Sequence, residues 1–157
     1  MAVSKEEFRS TLGRFASGVT VVTAKGADDQ PLGITVSAFS SVSLDPPLVL
    51  VCVDKRASLH GHLTEGVHFA VNILSEHQEL ISRRFASKDE DRFNGTAYRD
   101  SAEGVPLLDG ALASLECRVV HSYPGGDHTI IVGEVESTNI ADGKPLAYFR
   151  GGYVQLF

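Results

Sequence analysis

Short blocks of β-branched and apolar residues, many of them alternating with polar ones, dominate the hydropathy pattern, while stretches at helical spacing are few and brief. The fullest example is GITVSAFSSVSLDPPLVLVCVD, from Gly33 to Asp54. There Gly33, Thr35 and Ser37 alternate with Ile34, Val36 and Ala38 as a small-residue strand, and Ser40, Ser41 and Ser43 follow as a hydroxyl-dense bend. Pro46 and Pro47 exclude a helix and launch Leu48 to Val53 as an almost wholly apolar strand. Small side chains beside Phe39 suit a strand whose main chain approaches a planar, phosphate-bearing ligand.

Val19 to Ala24 (VTVVTA) is a β-branched strand, and GADDQP at 26–31 turns it back into the Gly33 strand. Phe69 to Ile73 is another short strand. Ala113 to Tyr123 is joined by the PGGD turn at 124–127 to HTIIVGEVES, and Pro145 to Phe149 and Gly151 to Phe157 close the chain. Helices are short. Ser4 with Glu7 forms a capping box ahead of Phe8, Leu12 and Phe15 on one face, with Gly18 as the stop. Ser75 with Gln78 repeats the pattern and predicts a helix over 76–85, carrying Leu80, Ile81 and Phe85. Ala57 or Ser58 starts a third, broken at Gly61. The polar stretch from Ala86 to Val105 reads as one long irregular loop anchored by Phe93 and Tyr98. About seven strands and two or three helices, joined mostly by hairpin-sized turns, predict an antiparallel barrel with flanking helices in one domain, 1–157.

Composition narrows the partners. The chain has 157 residues, 14 Lys+Arg and 20 Asp+Glu, so its net charge of -6 argues against nucleic acid or an anionic membrane as the main partner. No apolar run spans a bilayer, and MAVSKEEF lacks a signal-peptide core, so the cytoplasm is the expected compartment. Cys52 and Cys117 lie in apolar strands and read as buried reduced thiols.

Candidate chemistry is mostly absent. There is no GxSxG elbow, no Walker-type phosphate loop and no GxGxxG fingerprint. His60 and His62 form an HxH without further ligands at metal spacing, so no metal site is expected, and Asp89, Glu90 and Asp91 read as a solvated run. A chain without acid–base or nucleophilic machinery leaves difficult chemistry to a cofactor.

Four blocks carry a resemblance: FASGVTVVT at 15–23, GITVSAFSSVSLDPPLVLV at 33–51, GDHTIIVGEV at 126–135 and PLAYFRGGY at 145–153. In order and spacing they resemble the flavin reductase family, small NAD(P)H:flavin oxidoreductases that supply reduced flavin to two-component monooxygenases. The resemblance runs from about Phe8 to Tyr153. It implies a mainly β, antiparallel FMN-binding split β-barrel and a homodimer. FMN or FAD would be reduced by NADH or NADPH, with hydride passing from nicotinamide C4 to flavin N5, and an oxygenase component would receive the reduced flavin. The alternative within the same fold is a flavoprotein that binds FMN without reducing free flavin.

The resemblance also implies roles for residues. Thr35, Val36, Ser37 and Ala38 line the isoalloxazine, with Ser40 near the ribityl and phosphate. In the stretch from Cys52 to Ser58, Lys55 and Ser58 suit a phosphate, one by charge and one by hydroxyl. Ser82, Arg83 or Arg84, and Phe85 form a second flavin contact. His128 is placed near the nicotinamide as the candidate catalytic residue, to orient that ring or protonate reduced flavin. Arg150 and Tyr153 border the same pocket.

Overall fold

The computed structural model describes residues 2–156. Twelve strands and two α-helices are formed among them: α1 (Lys5–Leu12), β1 (Ser17–Gly18), β2 (Thr20–Lys25), β3 (Pro31–Val36), β4 (Phe39–Ser43), β5 (Leu48–Asp54), β6 (His68–Ile73), α2 (Glu79–Phe85), β7 (Tyr98–Asp100), β8 (Pro106–Leu108), β9 (Ala113–Gly125), β10 (His128–Ile140), β11 (Ala147–Phe149) and β12 (Gly152–Val154). Seven strands make one antiparallel sheet in the order β3-β2-β6-β9-β10-β5-β4, and β1-β11-β12 and β7-β8 form two small ones. The order explains the shape. β3 and β4 lie at opposite edges, yet only Ser37 and Ala38 separate them in the chain. Three Cα steps cover at most about 11 Å, so the sheet must roll until its edges almost meet. The chain is therefore the antiparallel barrel expected from the pattern, with a seam crossed by Ser37 and Ala38.

Alternation assigns the faces. Val49, Val51 and Val53 of β5 join Val22, Ala24, Val36, Phe69, Val71, Cys117, Val119 and Ile131 in the barrel core, with Leu32 and Ile34 packed against it. The intervening residues of the seam strands, Gly33, Thr35, Cys52 and Asp54, fall on the outer face. β2 is buried on both faces, because Val21, with Val19 just ahead of the strand, belongs to a second core with Leu74, Phe85, Leu108 and Leu146. That double burial is why VTVVTA shows so little polarity. Behind β2 the Asn72 amide bridges three segments. Its Nδ2 donates to the Val21 carbonyl at 2.9 Å and to Thr23 Oγ1 at 3.1 Å, and its Oδ1 accepts from the Leu108 N–H at 2.9 Å.

Several expected elements differ in form. The serine-rich bend at 40–43 is β4, an edge strand largely open to solvent, where the polar residues needed no alternation. The third helix is a 3-10 turn, His60–His62, that contains Gly61. α1 has the expected cap, Ser4 Oγ accepting from Glu7 N–H at 3.1 Å, but ends at Leu12 and buries none of its apolar face. α2 starts at Glu79, later than the capping pattern implied: the Gln78 side chain accepts from the Ser75 N–H at 2.9 Å, one half of a capping box, but the Ser75 hydroxyl accepts no helix N–H. The stretch 86–105 holds β7 and part of the turn to β8, so it is not one loop. β9 extends through Pro124 and Gly125, and the last strand is only Gly152–Val154; Phe157 lies outside the described residues.

Candidate functional site

The outer face of the seam, between β3 and β5, is roofed by the end of α2 and the loop after it. A cavity of about 380 Å³ opens there. Thr35 to Ala38 form one wall with Ile34, and Cys52 and Asp54 of β5 form the other. Phe85, Ala86, Arg92 and His128 complete the lining. His128 reaches the cavity because β10 pairs with β5 in a register that sets it opposite Asp54.

The crossing leaves main-chain donors free. The Ser37 carbonyl accepts from Phe39 N–H at 2.9 Å and the Ala38 carbonyl from Cys52 N–H at 3.0 Å. The amides of Ser37 and Ala38 donate to no acceptor among the described residues. Thr35 differs, since its Oγ1 donates to the Ser82 carbonyl at 2.7 Å and so presents only lone pairs elsewhere. Gly33 is small for a different reason from the one its neighbours suggested. A Cβ there would meet Phe85 ring carbons at 2.8 and 2.9 Å, so the bare backbone admits Phe85 rather than a ligand.

Charge around the cavity is locally tied. Asp54 is held far below the usual carboxylate range by Arg56, which donates from Nη2 at 2.8 Å, from Nε at 3.2 Å and from its backbone N–H at 2.8 Å. Asp127 is lowered by its hydrogen bond to His128, Oδ1 to Nδ1 at 2.8 Å. Burial pushes the Cys52 thiol up, so the cavity wall there is neutral at neutral pH. Burial also lowers the Arg92 guanidinium, which donates from Nη1 to the Gly33 carbonyl at 2.7 Å and from Nε to the Asp89 carbonyl at 3.1 Å.

Arg92 and Ile34 also line a second cavity of about 520 Å³. Its cations are Arg56, Lys88 and Arg92, its hydroxyl is Ser58, and Asp89, Glu90 and Asp91 share the rim. The donor set of the two cavities fits a flat heterocycle carrying a phosphate: free amides and a neutral thiol beside Asp54 and Arg92 in one, and cations and a hydroxyl beside three acidic residues in the other.

The structure gathers Thr35, Val36, Ser37, Ala38, Cys52, Phe85 and His128 into the seam cavity and sets Ser58 in its neighbour. The other candidates sit elsewhere. Ser40 is on the exposed side of β4, with its hydroxyl donated to the Ser41 carbonyl at 2.9 Å. Lys55 lines neither cavity, and its backbone N–H donates to the Asp127 carbonyl at 3.0 Å. Ser82 is buried behind Thr35, with Oγ 2.7 Å from Tyr153 OH. Arg83 pairs with Glu79 at 2.9 Å and lies over the Tyr153 ring at 4.8 Å, while Arg84 donates to the Asp91 carbonyl at 3.1 Å. Arg150 turns the chain between β11 and β12, its N–H donating to the Gly13 carbonyl at 2.8 Å. Asp54 and Arg92 are lining residues that the sequence reading did not single out. Period-two counting from Cys52 could have found Asp54; Arg92 was hidden in an acidic run.

Comparison with known proteins shows the family and the fold. The family described as flavin reductase like domain matches residues 12–156. The chain is 44% identical over 150 residues to the FMN reductase (NADH) SmoA of Agrobacterium fabrum, covering 96% of this chain and 85% of that one. It is 42% identical over 151 residues to the reductase component of 4-nitrophenol 4-monooxygenase/4-nitrocatechol 2-monooxygenase from Rhodococcus opacus, covering 96% of this chain and 80% of that one. Among solved structures, the Streptomyces globisporus NADH:FAD oxidoreductase SgcE6, in complex with NAD and FAD fragments, superposes with a TM-score of 0.92 at 40% identity, covering 98% of this chain and 93% of that one.

Proposed function

The chain belongs to the flavin reductase family, and from that footing we propose that it is an NAD(P)H:flavin oxidoreductase, acting with NADH on FMN or FAD. The observation that carries the reading is the seam cavity, where free backbone amides, a neutral thiol, an aromatic wall and His128 meet. When bound there, flavin supplies at N5 the acceptor for a hydride from nicotinamide C4. The chain's own residues bind and orient. The amides of Ser37 and Ala38 offer hydrogen bonds to a ring's polar edge, Thr35 offers lone pairs, and Phe85 walls one end. Ser58, Lys88, Arg56 and Arg92 suit the phosphate-bearing tail in the neighbouring cavity. His128, held through Nδ1 by Asp127, has Nε2 left to orient the nicotinamide. Holding two reactants in one orientation is worth roughly 7–11 kcal/mol of barrier, so no dedicated acid or base is needed.

The assigned partner is an oxygenase component that takes up the reduced flavin; its support is that the Rhodococcus opacus relative is named as the reductase component of a monooxygenase. We further assign a homodimer. Its support is that Phe15, Leu44, Leu80 and Ile140 stand exposed on one chain, at 80%, 92%, 81% and 86%. The compartment we assign is the cytoplasm, where the free thiols of Cys52 and Cys117 stay reduced. Among the described residues no helix is long and apolar enough to cross a membrane.

The deciding experiment follows NADH and NADPH oxidation by purified protein with FMN, FAD and riboflavin added in turn. Flavin-dependent NADH oxidation is expected, and its absence with all three, together with unquenched flavin fluorescence, would overturn the reading. His128→Ala is expected to raise KM for NADH and leave flavin affinity in place; a fall in kcat alone would instead give the imidazole a proton-transfer role. Light scattering at micromolar concentration tests the dimer.

A further inference from the structure

We propose that Tyr153 is a positioning residue for the flavin cavity, acting through Ser82 on Thr35; the inference rests on the reading of that cavity given above. The Ser82 hydroxyl is fully buried and lies 2.7 Å from Tyr153 OH. The carbonyl of the same serine accepts the Thr35 hydroxyl at 2.7 Å, and Thr35 lines the cavity. Two hydrogen bonds on one residue thus join the cavity wall to β12.

The tyrosine end of the chain of contacts is fixed. Its ring meets Tyr148 of β11 edge-on, 5.3 Å between centroids at 71°, and carries the Arg83 guanidinium at 4.8 Å. β11 pairs with β1, at Ser17 and Gly18, immediately before β2 enters the main sheet. The serine end depends on its neighbours, because α2 has only seven residues and so little stability of its own. Phe85 ties its last turn to β3 and Phe93, and the Ser82–Tyr153 bond ties its middle to the β1-β11-β12 sheet.

The consequence for the cavity is chemical. While the Ser82 carbonyl stays in place it takes the Thr35 proton, and Thr35 meets a ligand as an acceptor only. Removing the phenol leaves the buried Ser82 hydroxyl without its partner and α2 without that tie, so α2 shifts, the Ser82 carbonyl moves with it, and the Thr35 proton becomes free to turn into the cavity. A ring bound there would then meet a donor where it had met lone pairs.

The test uses the full chain with Tyr153→Phe, Ser82→Ala and the double variant. Flavin Kd is read by fluorescence quenching, the visible absorption band of bound flavin by spectroscopy, and Tm by melting. Each single variant is expected to raise Kd about threefold to tenfold and shift the absorption band. The double variant should be no weaker than the worse single one, because both remove the same bond. KM for NADH at saturating flavin should hold, which general loosening of the fold would not allow. Tyr148→Phe, which keeps the ring contact and lies outside the relay, should bind flavin like the native chain. Native Kd and an unshifted band in both single variants, or effects that multiply in the double, would overturn the inference. A native chain that binds no flavin would instead overturn the function reading on which it rests.

Discussion

Replacing Gly33 by alanine tests how the cavity is walled. The added methyl would lie 2.8 and 2.9 Å from two Phe85 ring carbons and 3.4 Å from Phe93. Real Cβ contacts essentially never fall under 3.0 Å, so something must move. Phe85 has no room to do so, since it is fully buried and meets Phe93 edge-on at 5.0 Å, which in turn meets Tyr98 at 5.1 Å. Forcing an extra methyl into such packing costs about 1–3 kcal/mol. For a domain of this size that is a loss of roughly 2–12 °C in Tm. The same push displaces α2 and strains the bond from Arg92 to the Gly33 carbonyl, so flavin Kd is expected to rise as well. Adding Phe85→Leu to Gly33→Ala should return part of the lost stability, with a coupling of at least about 0.5 kcal/mol between the two changes. A Gly33→Ala variant with native Tm and native flavin Kd would refute the close-packing account, as would strict additivity with Phe85→Leu.

Three other outcomes are expected. Arg92→Ala releases the Gly33 and Asp89 carbonyls and should speed proteolysis within 87–96 while weakening flavin binding; equal cleavage rates would count against it. Asn72→Leu strands the buried Leu108 N–H and should cost about 1–3 kcal/mol in urea unfolding, with under 1 kcal/mol as the contrary result. Cys117 is pushed from 9.0 to about 12 by burial, with Glu116 and Glu136 adding to the effect, so the fold favours its neutral thiol. That contribution is complete below the ordinary thiol value and is lost as pH rises from about 9 towards 12. Cys117→Ala should therefore flatten the alkaline arm of the stability curve, and an unchanged slope between pH 9 and 11 would argue against the burial effect.

Legibility followed burial. β5 and β6 could be read directly because they bury apolar side chains in the barrel, and β10 because its first half does. β4 could not, since an edge strand with serines open to water leaves no alternation to count. β7 and β8 were lost for a related reason: one is exposed along its whole length and the other buried along its whole length, so neither shows a period of two. Thr35 to Ala38, Cys52, Phe85 and His128 are named by the resemblance of the four sequence blocks, and the fold brings them to one cavity. Arg92 gave no signal, because its role comes from burial against carbonyls of Gly33 and Asp89 that only the folded loop brings near. Ser82 and Tyr153 line neither cavity, and only the folded chain shows the hydrogen bond between them.

The two-residue crossing at Ser37 and Ala38 also bears on the order in which the molecule can assemble. β2 with β3, β4 with β5 and β9 with β10 are local hairpins that close cheaply, whereas β10 must find β5 across the longest stretch of chain in the main sheet. Until that pairing forms, His128 is not opposite Asp54 and the seam has only one complete side. The pocket is thus made by the contact with the greatest entropic cost of closure. A ligand has no binding energy to offer before that point and holds the finished barrel shut after it, so it acts as a latch on the folded state and not as a template for folding.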